Sequence, residues 1–237
     1  MDINRWLWPK YARTYDMLLH SPLYQDLTDE VIESLNLDAA SSFLNAGCGT
    51  GNLEKEITTR SFKSLKQMTA IDFSPEMLAV AKEKVHNVQF EHADLNHKLS
   101  YPDNSFDRIA MINVLYALSD PEFTLAEVCR ILRPGGIAVI VNSCKGSSLL
   151  KLVSANLKRI DPDKRLLFCL RMSLLFFMNI VIAGAGKSGY YHFWEKQKWE
   201  EILPQKGFLS RSIHLTYGDQ TYMVVAEKKK NPSIKVC

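Results

Sequence analysis

From residue 41 onward the chain alternates short apolar runs with amphipathic segments, and this alternation limits the fold more than any other feature. "SSFLNA" (Ser41–Ala46), "QMTAID" (Gln67–Asp72), "VQFEH" (Val88–His92), "FDRIAMINVL" (Phe106–Leu115) and "IAVIVNS" (Ile137–Ser143) read as strands. Helix patterns lie between them. One starts near Asn52, and a second, "SPEMLAVAKEKV", has Ser74 as its N-cap and Pro75 in its first turn. A third, "DPEFTLAEVCRILRPGG", is stopped by Pro134 and the glycine pair. Such alternation predicts a parallel sheet covered by helices on both faces. "FLSRSIHLTYG" and "QTYMVVAEK", joined at Gly218-Asp219, predict a closing antiparallel hairpin.

The first strand-to-helix switch carries "FLNAGCGTGNLEKEI", with Gly47, Gly49 and Gly51 within five residues. Glycine permits positive φ and lets a ligand lie against the backbone. A turn that opens a helix also offers unpaired N–H groups, so this is read as a cofactor turn. The spacing is G-x-G-x-G, not the G-x-G-x-x-G of dinucleotide sites, and no Gly-Lys-Ser/Thr of a phosphate loop follows. Asp72 ends the second strand, where an acid can accept from both hydroxyls of a ribose. Asp94 follows the third strand and can accept from an exocyclic adenine amine. Together they describe a nucleoside lying across the carboxyl ends of neighbouring strands.

"NAGCGTG", "IDFSPEMLAVAKEKV", "EHADLN", "FDRIAMINVLYAL" and "EVCRILRPGG" resemble, in order and spacing, the motifs of class I S-adenosylmethionine-dependent methyltransferases. The resemblance spans roughly residues 41–143 and is nearest the small-molecule branch, which includes ubiquinone and menaquinone biosynthesis enzymes. It implies a Rossmann-like α/β fold: a seven-stranded, mostly parallel sheet with the last strand antiparallel. An N-terminal helical lid (1–40), a cofactor-binding core (41–145), a helical substrate-side insertion (146–205) and a closing hairpin with a basic tail (206–237) would complete the chain. It also implies that S-adenosylmethionine meets Gly47, Gly49 and Gly51 through its methionine part, Asp72 through its ribose, and Asp94 and Leu95 through its adenine. Phe73, Met77 and Asn113 are assigned to the same cofactor site, with Tyr15 as part of a lid over the sulfonium. Asn45 stands where such enzymes usually carry an acid, which implies weaker cofactor binding.

Methyl transfer from a sulfonium depends on alignment and desolvation, and a base is needed only if the nucleophile starts protonated. Tyr116 lies just after the fourth strand, where many O-methyltransferases place a histidine. With a reference pKa near 10, tyrosine is a poor base at neutral pH. His192, in "GYYHFW", is the other candidate catalytic residue. The acceptor atom, O, N or C, stays open. Tyr11 and Tyr15 share a helical face. The apolar stretch Leu166–Gly186, interrupted by Arg171, Ser173 and Asn179, is read as a lid or core helix, not a membrane span. Tyr11, Tyr116, Phe176, Phe177, Tyr191 and His192 are the expected acceptor-binding residues.

Composition fixes the rest. The chain is 46% hydrophobic and 23% charged, and its net charge of +3 is too small to imply a nucleic-acid partner. Five cysteines show no CxxC pair or metal-ligand spacing, and no secretory pattern opens the chain, so a cytoplasmic protein with reduced thiols and no metal is expected. Asn113 also sits where catechol-type enzymes use an acidic metal ligand. The expected partner is a small apolar acceptor, with peripheral membrane contact and a homodimer left open. Two rivals are a methyltransferase for a membrane-presented lipid or protein, and a non-catalytic S-adenosylmethionine-binding regulatory module.

Overall fold

The computed structural model describes residues 12, 15–39, 41–60, 65–170, 172–173 and 191–230. Seven strands form one sheet: β1 (Ser42–Ala46), β2 (Gln67–Asp72), β3 (Gln89–His92), β4 (Phe106–Ile112), β5 (Leu132–Ser143), β6 (Phe208–Thr216) and β7 (Thr221–Lys228). Their order is β3-β2-β1-β4-β5-β7-β6. Neighbouring pairs among β1 to β5 are parallel, and β7 runs antiparallel between β5 and β6. This is the expected seven-stranded sheet, closed by an antiparallel hairpin.

Side chains alternate across the pleat, so each strand feeds two cores. Leu44, Ile109, Met111, Ile140 and Val224 pack on one face with α4 (Pro121–Ile131) and α6 (Lys196–Gln205), through Leu125, Val128, Trp199 and Leu203. Phe43, Ala110, Val139, Val141 and Val225 pack on the other with α1 (Pro22–Leu35) and α2 (Asn52–Thr59), through Leu27, Val31, Leu53 and Ile57. Capping sets three helix starts. Ser21, Ser74 and Asp120 accept from Tyr24, Met77 and Phe123 N–H, and each is followed by proline at the first helical position. α3 (Pro75–Lys84) begins this way directly behind β2, and α5 (Leu149–Arg159) follows β5.

Two boundaries differ from the sequence reading. α4 ends at Ile131 instead of running to the glycine pair, and β5 starts at Leu132. Arg133 precedes a proline and is held extended, so the chain enters the strand before the glycines. A register shift against β4, between Phe106 and Arg108, absorbs the irregularity. β4 stops at Ile112, not Leu115, because Asn113 turns into the left-handed region (φ 55°). Tyr11, Phe176, Phe177, most of the apolar stretch and the basic tail lie outside the described residues.

Candidate active site

Sheet order reverses between β1 and β4, and the carboxyl ends of these strands open a crevice there, as in other doubly wound sheets. The cleft encloses about 800 Å³ including its open mouth. Its walls hold Tyr15, Gly47, Gly49, Asp72, Phe73, Met77, Asp94, Leu95 and Asn113, nine of the eleven residues assigned to the cofactor from sequence. Ala93, Asn96, Ile112, Val114, Ala117 and Leu118 complete it.

The glycine turn is stitched to β2. Gly47 and Cys48 N–H both donate to the Ile71 carbonyl (2.8 and 2.9 Å), and Gly51 N–H donates to the Cys48 carbonyl (3.1 Å). Gly49 N–H donates to Asp72 Oδ2 (2.8 Å). These four turn donors are therefore spent within the protein. Close approach is what the glycines provide. Gly47 has φ 86°, and a Cβ there would stand 2.3 Å from Val114 Cγ2, across the switch point. Gly51 packs against Ala81 and lies outside the cleft wall.

Asp72 receives Gly49 N–H on Oδ2 and Ser74 N–H on Oδ1 (2.9 Å). Each oxygen keeps a second lone pair for a ligand hydroxyl. Burial pushes its carboxyl up, against the hydrogen bonds from Ser74 and Gly49. Asp94 shows the opposite balance. Burial raises it, but the Asn96 backbone and side chain, with His97, hold it below the usual carboxylate range. Asn113 Oδ1 is buried in the cleft wall without a partner among the described residues, an acceptor suited to a ligand N–H or O–H.

Asn45 is not in the wall. It is buried beneath the turn, where its Nδ2 donates to Glu54 Oε1 (2.7 Å). Glu54 is fully buried on α2, and burial pushes its carboxyl up to about 7 despite that hydrogen bond. The acid absent at position 45 thus stands beside it on α2, as a carboxyl that is largely protonated below pH 7. Sequence reading missed Glu54, although a carboxylate beside Leu53 on the core-facing arc of a helix was the available signal. It also missed Asp16, whose Oδ1 accepts from Thr50 Oγ1 (2.5 Å) and Lys84 Nζ (2.6 Å). Asp16 ties the residue after Tyr15 to the glycine turn and to α3.

Of the expected acceptor residues, Tyr116, Tyr191 and His192 are described, and they lie beside the cleft, not in its described wall. Tyr116 and Tyr191 are buried edge to face, with centroids 5.3 Å apart, and Phe193 stacks on Tyr116 at 5.7 Å. His192 N–H donates to the Tyr116 carbonyl (2.8 Å), and Asn142 Nδ2 donates to the His192 carbonyl (3.2 Å). The histidine backbone is therefore fixed between β5 and the segment after β4. Among the described residues no cluster of three metal-capable side chains occurs.

A seven-stranded sheet of this order, with Asp72 and Asp94 lining one cleft with the glycine turn, is the arrangement expected of class I S-adenosylmethionine-dependent methyltransferases. Residues 44–140 match the family described as "Methyltransferase domain". The demethylmenaquinone methyltransferase of Staphylococcus saprophyticus is 26% identical over 210 residues, 84% of this chain and 83% of that protein. The phosphatidylethanolamine N-methyltransferase of Cereibacter sphaeroides is 35% identical over 104 residues, 42% of this chain and 49% of that protein. The chain spans about half the length of most of the curated relatives it matches. In fold it is similar to an S-adenosylmethionine-dependent methyltransferase from Aquifex aeolicus, with TM-score 0.62, 19% identity, and coverage of 92% of this chain and 97% of that one.

Proposed function

We propose that the protein transfers a methyl group from S-adenosylmethionine to a small, largely apolar acceptor. The observation that carries this reading is the cleft, in which Asp72 and Asp94 flank the glycine turn beside the aromatic group Tyr116, Tyr191 and Phe193. The residues fit the cofactor. Asp72 has lone pairs for the ribose hydroxyls, Asp94 accepts from the adenine amine beside Leu95, and Gly47 and Gly49 leave room for the methionine part. When bound, the cofactor supplies an electrophilic methyl on a cationic sulfur.

This chain's own residues bind, orient and exclude water. Tyr15 covers the cleft and presents an aromatic face to a positive charge. Tyr116 and Tyr191 hold the acceptor, together with Tyr11, Phe176 and Phe177 from the lid and insertion. His192 and Tyr116 are the candidate proton acceptors, and the methylated atom is O, N or C. Both relatives described above are named for lipid-soluble acceptors, a quinone precursor and a phospholipid, which supports the apolar class. The free thiols of Cys48, Cys129 and Cys144 accord with a reducing, cytoplasmic setting.

The test is incubation with methyl-labelled S-adenosylmethionine and, separately, a lipid extract, an RNA pool and a protein extract. Label should enter an organic-soluble product. Label confined to RNA or protein would contradict the acceptor class. Cofactor binding without S-adenosylhomocysteine formation in any arm would favour a regulatory module.

A further inference from the structure

Four of the seven exposed large apolar side chains among the described residues lie between positions 150 and 170: Leu150 and Leu166 (both 72% exposed), Leu167 (48%) and Leu170 (63%). The placement follows from how this region is anchored. α5 is fixed on α1 by Asn156, whose Oδ1 accepts from Ser21 Oγ (2.8 Å) and Leu23 N–H (3.2 Å), and by the Arg159–Asp26 ion pair. Its opposite side opens as a shallow groove in which Leu150, Val153 and Leu157 meet Lys158 and Arg165. Neither Lys158 nor Arg165 forms an ion pair among the described residues. In the following helical segment Phe168 is buried, while Leu166, Leu167 and Leu170 face outward.

The geometry points to this leucine face as the seat of the protein on an anionic phospholipid bilayer, an inference that rests on the apolar-acceptor reading and names its partner. Exposed leucines beside lysine and arginine are the composition of a helix lying in a membrane interface: the apolar side chains enter the acyl boundary and the basic ones meet phosphate. The core of a protein–protein interface is instead depleted in lysine. A patch of this kind is uncommon on a surface that meets only water. No helix among the described residues is long and apolar enough to cross a membrane, so the contact is peripheral.

The face is also continuous with the cleft. Met172, two residues beyond Leu170, packs with Tyr15 and Met77, which both line the cofactor cleft. A bilayer under the leucines therefore lies at the cleft mouth, where an apolar acceptor could pass from the acyl region without crossing water.

Flotation of the full chain with vesicles tests this without requiring turnover. Vesicles of phosphatidylcholine alone are compared with an equal mixture of phosphatidylcholine and phosphatidylglycerol. Binding to the mixture should exceed binding to the neutral vesicles by about tenfold and fall with added salt. Leu166→Ser with Leu170→Ser, and separately Lys158→Glu with Arg165→Glu, should each weaken binding about tenfold. Both double variants should bind S-adenosylmethionine as the parent does, which also establishes that they fold. No flotation of the parent with the mixed vesicles, or unchanged flotation of both variants, would overturn the inference. So would a parent dimer that the leucine variant dissociates without any loss of vesicle binding. Failure of the methyltransferase reading would appear separately, as absent cofactor binding with flotation intact.

Discussion

Asn45 Nδ2 donates to Glu54 Oε1 across 2.7 Å, joining the end of β1 to the first turn of α2 beneath the glycine turn. Asn45 Oδ1 and Glu54 Oε2 have no partner among the described residues. A fully buried carboxyl is costly when charged, and this burial is why its pKa rises to about 7 despite the hydrogen bonds it receives.

The sign of the pH effect follows. Folding raises the Glu54 pKa from 4.5 to about 7, so its stabilising share is complete below about pH 4.5 and is lost as pH climbs through 7. Glu54→Gln keeps an acceptor for Asn45 and removes the titration. Above pH 7 the variant should be more stable than the parent by about 3 kcal/mol at most, and near pH 4.5 the two should converge. Asp72, also raised, and Asp94, lowered, titrate in both proteins, so the difference between denaturation curves isolates Glu54. A difference independent of pH would refute the assignment.

Asp16 follows Tyr15, a residue of the cleft wall, and is tied to Thr50 and Lys84. Lys84 is held down by burial, and the charged hydrogen bond to Asp16 offsets this. Asp16 is about a third open to water, so the contact is discounted to about 1 kcal/mol. Asp16→Ala should raise the cofactor KM about fivefold and leave kcat nearly unchanged, because the lid is loosened and the acceptor side is not touched. Asp16→Glu should recover part of the loss. A lower Tm with an unchanged cofactor KM would reduce Asp16 to a fold contact.

Asp72 lines the cleft and accepts two backbone hydrogen bonds. From sequence alone its replacement should spare folding, since it stands at the mouth of the sheet. The structure adds a cost to that expectation, because Asp72→Ala strips acceptors from Gly49 and Ser74 N–H. Stability should fall by about 1–3 kcal/mol, measured by chemical denaturation. An unchanged denaturation midpoint would show that water replaces both contacts.

Gly47 gives the sharpest steric test. Gly47→Ala meets both a φ of 86° and Val114 Cγ2 at 2.3 Å. Adding Val114→Ala relieves the overlap but not the backbone, so the double variant should recover only part of the stability lost. Full recovery would mean that the turn needs glycine for space alone.

Much of this was legible in the sequence because it is local. The alternation of strands and helices and the G-x-G-x-G turn are patterns within a few residues, and Asp72 and Asp94 mark strand ends that the topology then brings together. What escaped is long-range. Asp16 meets Thr50 and Lys84 only after the short turn before α1, the glycine turn and α3 converge, and no spacing encodes that meeting. Glu54 left a trace in a charged residue on a buried arc, but its partner lies on another element. The partners of the glycine N–H groups were also not visible in sequence, since Gly47 and Gly49 find theirs across on β2. The end of α4 was misread because Pro134 was taken as the stop, whereas its effect on Arg133 begins the strand earlier.

Calorimetric titration tests whether the cleft holds S-adenosylmethionine through Asp72. The parent should bind S-adenosylmethionine and S-adenosylhomocysteine but not NAD. At a temperature where the variant is folded, Asp72→Ala should weaken binding of both nucleosides by about 2–4 kcal/mol, through the loss of a charged acceptor for the ribose hydroxyls. Binding of NAD with neither nucleoside bound, or full nucleoside affinity in folded Asp72→Ala, would contradict the account.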